Sequence, residues 1–174
     1  LKILLGLVRA TSGKAFLLGQ PAGDVATRGR IGFLPESPYF YDYLTAEEFL
    51  GFYGQLAGLD RAAISQRVTD LLKLVGLVDA RTRQLRKFSK GMLQRIGLAQ
   101  ALIHDPELII LDEPMTGLDP IGRKQVRDLI LSLRDQGKAV FFSTHFLHDV
   151  EMICDRVGIV LKGRLVASGR VDEL

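Results

Sequence analysis

The sequence predicts an α/β fold: a parallel sheet flanked by helices, with a small helical subdomain inserted into it. Three observations carry that expectation. Leu108-Ile109-Ile110-Leu111 is an unbroken apolar run with two β-branched residues, the pattern of a strand buried on both faces. A second such run, Ala139-Val140-Phe141-Phe142, follows one amphipathic helix later, and strand, helix, strand at this spacing is a parallel crossover. Between residues 45 and 76 two helical patterns succeed each other with no strand between them, which marks an insertion rather than another crossover.

Composition sets the outer bounds. The 174 residues suffice for one domain with a sizeable core. Twenty-three basic against 20 acidic residues leave a net charge of +3, and no block of like charge is long enough to track a phosphate backbone, so nucleic acid is not expected as a partner. The single cysteine, Cys154, excludes an internal disulfide and has no metal-binding spacing, which makes a reducing cytoplasm the default. No apolar run approaches the length needed to span a bilayer.

Taken in order, the chain opens with Leu1-Lys2-Ile3-Leu4-Leu5-Gly6-Leu7, which reads as the middle of a helix with Gly6 near its end and no cap before it. The absence of an initiating Met and of a helix start leads us to expect a fragment, and the same expectation extends to Val171-Asp172-Glu173-Leu174 at the other end. Ser12-Gly13-Lys14 is not a phosphate loop: G-x-x-x-x-G-K followed by Ser or Thr is required, yet Val8 stands at the first glycine position and Ala15 at the hydroxyl position. Gly137-Lys138-Ala139 fails likewise. Strands are expected over Ala15 to Leu18 and Ile31-Gly32-Phe33-Leu34, the latter followed by Pro35 and Glu36.

Pro38 to Leu44 carries four aromatic residues, so it either packs on the next helix or forms a docking patch for another protein, and the two are compatible. Thr45 to Glu48 is a capping box that starts a helix running to about Gly58. Asp60 caps the next, with Ile64, Val68, Leu71, Leu72 and Val75 as its apolar stripe and Gly76 as its stop. Ser89 is the N-cap expected for a third helix, with Ile96, Ala99, Leu102 and Ile103 inward; a helix start of this kind offers backbone N–H groups to a phosphate, although most such starts bind nothing. Asp119-Pro120 opens a fourth, which buries Val126, Leu129, Ile130 and Leu133. Val157 to Leu161 and Arg164 to Ala167 form a β-hairpin around Lys162-Gly163.

The chemistry concentrates where two strands end. Asp112 and Glu113 terminate the first buried run, and open α/β sheets bind ligands beyond the carboxyl ends of their strands. A solvated acidic turn would read the same in isolation. Ser143-Thr144-His145 ends the parallel partner, however, so His145 is expected at the same edge, and a second polar strand end favours a site over a turn. A histidine that merely caps its own helix is the bland reading of His145. His148 lacks a close third ligand for a metal.

These residues resemble, in order, the motifs of ABC transporter ATP-binding subunits. Phe88-Ser89-Lys90-Gly91-Met92-Leu93-Gln94-Arg95 is similar to the signature motif, Leu108 to Pro114 to the Walker B strand, Thr116-Gly117-Leu118-Asp119 to the D-loop, and Ser143-Thr144-His145 to the H-loop. The resemblance implies a P-loop NTPase-like sheet whose first strand and Walker A loop are missing from this sequence. It implies an ATPase core over residues 1–36 and 105–174 and a helical signature subdomain over residues 37–104. It further implies ATP and Mg²⁺ as cofactors, Asp112 as the metal residue, and Glu113 and His145 as the catalytic pair. Glu36, in place of the family's Q-loop glutamine, would face the metal, while Ser89, Lys90, Gly91 and Asp119 would contact nucleotide across an interface with a second copy. Lys90 and Met92, where Gly and Gln are commonest, resemble the branch paired with type-2 export permeases. The implied partners are therefore a transmembrane permease and a second ATP-binding subunit, forming a homodimer on the cytoplasmic face of the cell membrane. An ABC-type clamp acting on DNA or ribosomes is the alternative, and a chain inactive by itself is a third expectation.

Overall fold

The computed structural model describes residues 1–173. The chain divides into two compact units, Leu1–Ser143 and the part from Thr144 onward.

The first unit begins with turns, not with the expected helix. Leu5 N–H bonds to Leu1 O, Gly6 N–H to Ile3 O and Leu7 N–H to Lys2 O, the last two in the pairing by which a helix C-terminus closes on a left-handed glycine. Only a helix ending is present, because one turn fixes too few hydrogen bonds to propagate. A two-residue antiparallel ladder follows, β1 (Phe16–Leu17) on β2 (Gln20–Pro21), shorter than the expected strand. A single turn, α1 (Val25–Arg28), is capped by Asp24, whose carboxylate accepts from Thr27 N–H at 2.8 Å.

The sheet lies at the centre of this unit. β3 (Ile31–Leu34), β4 (Leu108–Asp112) and β5 (Ala139–Ser143) are parallel with β4 in the middle. Their register pairs Leu34 with Leu111 and Asp112 with Ser143. Ile109, Ile110 and Leu111 are buried as the apolar run requires, each contributing about 1.5–3 kcal/mol through removal from water. β5 differs from expectation: it is an edge strand among the described residues, and its Phe141 is exposed.

Helices α2 (Ala46–Leu56) and α3 (Arg61–Leu74) are the strandless pair read from the sequence. The capping box at Thr45 and Glu48 is formed in both directions, and Asp60 caps α3 through Ala63 N–H at 2.8 Å. Arg81 clamps Glu47 with two bonds of 2.6 and 2.7 Å, tying the segment after α3 back to α2. α4 (Lys90–Ala101) packs on β3 so closely that a Cβ at Gly32 would overlap the carbonyl of Ala101, which leaves glycine as the residue that fits there. α5 (Pro120–Asp135) completes the crossover and buries Val126, Leu129, Ile130 and Leu133, the four residues expected.

The second unit holds α6 (Leu147–Ile153), which the sequence reading did not name, and the expected hairpin of β6 (Arg156–Leu161) and β7 (Arg164–Arg170). No helix among the described residues is long and apolar enough to cross a membrane.

Candidate functional site

Parallel pairing brings the carboxyl ends of β3, β4 and β5 to one edge, so residues that follow each strand become neighbours of the next. Asp112 closes β4 and stands opposite Ser143 in register. The Ser143 hydroxyl donates to Asp112 Oδ1 at 2.6 Å, a short charge-assisted bond, and accepts from Glu113 N–H at 3.0 Å. One serine thus fixes the side chain of the first acid and the backbone of the second.

Glu113 has left the strand. Its φ of 49° lies in the left-handed region, which costs a residue with a Cβ about 1–2 kcal/mol and persists only where surrounding bonds impose it. Those bonds are visible. Thr116 N–H donates to Glu113 O at 3.1 Å, and the Thr116 hydroxyl donates to Glu113 Oε2 at 2.9 Å, so the chain after Pro114 folds back over the carboxylate. Both acids are half-buried.

Glu36 lies two residues beyond the end of β3, the strand beside β4, and is exposed. Ser89 caps α4, accepting from Met92 N–H at 3.3 Å, which leaves its hydroxyl hydrogen and the first-turn amides of Lys90 and Gly91 at the open end of the helix. That helix tip meets the loop after Glu113. The Lys90 side chain lies over Gly117, occupying the space a Cβ would need, and Leu118 packs toward Gly91. Asp119 is exposed and caps α5, accepting from Gly122 N–H at 2.7 Å. Asp112, Glu113, Thr116 and the strand-end residue Glu36 therefore share the sheet edge, whereas Ser89, Lys90, Gly91 and Asp119 gather along the loop that leaves it. His145 belongs to the second unit, where it is exposed and its ring stacks at 4.0 Å on Phe146.

The aromatic stretch packs in part on the next helix, as one of the two expectations had it. Phe40 packs on Phe49 at 5.5 Å and Tyr41 on Phe52 at 5.5 Å, both on α2, whereas Tyr39 and Tyr43 are exposed.

Sequence reasoning missed the supporting cast. Ser143 had a signal, since two parallel strands ending in Asp and Ser at matched positions must place them side by side. Thr116 had none, because its partner depends on how the loop turns.

A family model described as ABC transporter matches residues 1–116. Among curated proteins, an uncharacterized ABC transporter ATP-binding protein of Synechocystis is 54% identical over all of this chain and 50% of its own length. The bacitracin transport ATP-binding protein of Bacillus licheniformis is 40% identical over all of the chain and 57% of its own length. Among solved structures, an ATP binding subunit of an ABC transporter superposes with a TM-score of 0.85 at 31% identity, over 99% of this chain and 72% of that one. The chain spans about half the length of the curated relatives it matches.

Proposed function

Because the chain belongs to the ABC transporter family of ATP-binding proteins, we propose that it is part of a subunit that binds and hydrolyses ATP to power transport, and that the transport is export. The observation that carries this reading is the bonded line Asp112, Ser143, Glu113, Thr116 at the carboxyl edge of a parallel sheet. Two acids in adjacent positions are held there in different backbone states for different tasks.

Asp112 suits Mg²⁺: its carboxylate closes a strand beside a hydroxyl, an all-oxygen set of the kind that ion accepts while keeping several waters. No cluster of three metal-ligating side chains occurs among the described residues, so the ion would rest on one carboxylate, water and nucleotide phosphate. Bound Mg²⁺ would neutralise charge on the phosphates. Glu113, turned out of the strand and half-buried, would orient the attacking water and take its proton. The Thr116 hydroxyl donates to one of the Glu113 carboxylate oxygens and so restricts how that side chain can turn.

Ser89 and the amides of Lys90 and Gly91 form a helix N-terminus, where backbone dipoles favour an anion. That tip would meet the γ-phosphate of ATP held by a second copy, with Asp119 at the same interface, so nucleotide would join two subunits. His145 would contact the γ-phosphate of the ATP that Asp112 and Glu113 serve and sense its loss. Glu36 would face the metal and the attacking water while linking the site to a permease, the exposed Tyr39 and Tyr43 would face that permease, and residues 37–104 would move with it as a helical subdomain. Contact with the cytoplasmic face of the membrane would come through that permease. The export direction rests on Lys90 and Met92 in the signature stretch, and transport itself is supported by the bacitracin-transport relative.

Light scattering on the full-length subunit carrying Glu113→Gln tests the reading. Saturating Mg-ATP should convert monomer to dimer, and adding Ser89→Arg should prevent it. A subunit that stays monomeric with ATP bound would overturn the shared-nucleotide arrangement.

A further inference from the structure

Gln94 is one of the few buried polar residues of the chain, with 7% of its surface exposed. It sits in the second turn of α4, and its amide Nε2 donates to Pro114 O at 2.8 Å. Pro114 is the residue after Glu113, and its ring leaves the carbonyl as its only backbone hydrogen-bonding group. From this pairing we infer that Gln94 is a positioning residue for Glu113, an inference that rests on the functional reading above.

Ser143 and the α5 cap hold the two ends of the loop from Glu113 to Asp119, and Thr116 closes its first turn on Glu113. Gln94 pins its interior. Glu113 keeps a left-handed φ only while the peptide after it is fixed, because an unrestrained residue with a Cβ relaxes to the right-handed or extended region. The amide supplies that fixing from one turn below the helix tip formed by Ser89, Lys90 and Gly91. Lys90 over Gly117 and Leu118 toward Gly91 add two further contacts between the same helix and the same loop. A displacement of the tip therefore moves the turn that carries the carboxylate, within one chain and without a change in the sheet. The consequence is a link between what occupies the tip and how Glu113 is aimed.

The test is steady-state ATP hydrolysis by the full-length subunit in its transporter complex. Gln94→Leu removes the donor and should lower kcat by about tenfold to a hundredfold, as expected for a misaimed reacting group. KM for ATP should stay within about twofold, since uniform binding is untouched. In a Glu113→Gln background the same change should cause no further loss, because it acts through a carboxylate already removed. Gln94→Met, unbranched and of similar volume, decides the matter if the leucine variant does not fold. Unchanged kcat, a raised KM at constant kcat, or losses that multiply in the double variant would each overturn the inference. A wild-type complex that hydrolyses no ATP refutes the functional reading instead. A complex that hydrolyses ATP, is silenced by Glu113→Gln and is indifferent to Gln94→Leu refutes this inference alone.

Discussion

Replacing Ser143 with alanine removes a single oxygen that serves two partners, one side chain and one backbone amide, across β4 and β5. The lost bond to Asp112 Oδ1, at 2.6 Å and to a charged acceptor, belongs to the class worth about 1.5–3 kcal/mol. The abandoned N–H of Glu113, at 3.0 Å, adds roughly 1 kcal/mol, because the half-buried edge admits water that partly replaces the hydroxyl. Together these give a loss of about 2–4 kcal/mol, which in a domain of this size lowers Tm by roughly 5–15 °C. Circular dichroism melts of the 174-residue chain at neutral pH measure it. Ser143→Thr keeps the hydroxyl in a strand that tolerates β-branching, so it should retain most of the stability that alanine loses. If Ser143→Ala melts within about 0.5 kcal/mol of wild type, the range of an ordinary surface change, the hydroxyl does not organise the acid pair and the site geometry is wrong.

Three other outcomes follow from the same structure. Gly32→Ala should destabilise by about 1–3 kcal/mol or prevent folding, because its methyl would meet the Ala101 carbonyl rather than a movable side chain; an unchanged melt would show that β3 and α4 are not in that contact. Burial depresses the pKa of His104 below its usual 6.5, so the native state binds fewer protons there than the unfolded chain, and stability should fall as pH drops from 6.5 toward about 5. Asp105, Glu107 and Glu47 are held below their ordinary pKa by Lys138, Arg30 and Arg81 and stay charged across that window, so His104→Gln should flatten the loss; an equal slope in the variant would assign it elsewhere. The 174 residues contain no G-x-x-x-x-G-K-[ST] loop to cradle phosphates, so this chain alone should release no phosphate from Mg-ATP, and turnover abolished by Glu113→Gln in the same chain would contradict that.

Local chemistry wrote much of this fold into the sequence. Capping residues announced four helix starts, at Thr45, Asp60, Ser89 and Asp119, because each satisfies a first-turn amide with its own side chain and needs no distant partner. The apolar run at residues 108–111 marked the central strand for a similar reason: a strand covered on both faces carries apolar residues in succession, and Ile109, Ile110 and Leu111 are buried. Misreadings arose where length or neighbours decide. Leu1 to Leu7 carries a helical pattern but closes after one turn, and the run at residues 139–142 looks as buried as β4 although it lies at the sheet edge. The site was legible as strand-end acids beside a polar strand end. The left-handed Glu113, its clasp by Thr116 and the Gln94 tether were not, since each depends on the path of the loop between β4 and α5.

The most direct test is phosphate release from Mg-ATP by the full-length subunit in its transporter complex, measured for wild type and Glu113→Gln. Turnover in the wild type, reduced at least about a hundredfold in the variant while ATP binding persists, is the result predicted for a carboxylate that activates water. Turnover preserved in Glu113→Gln would contradict it.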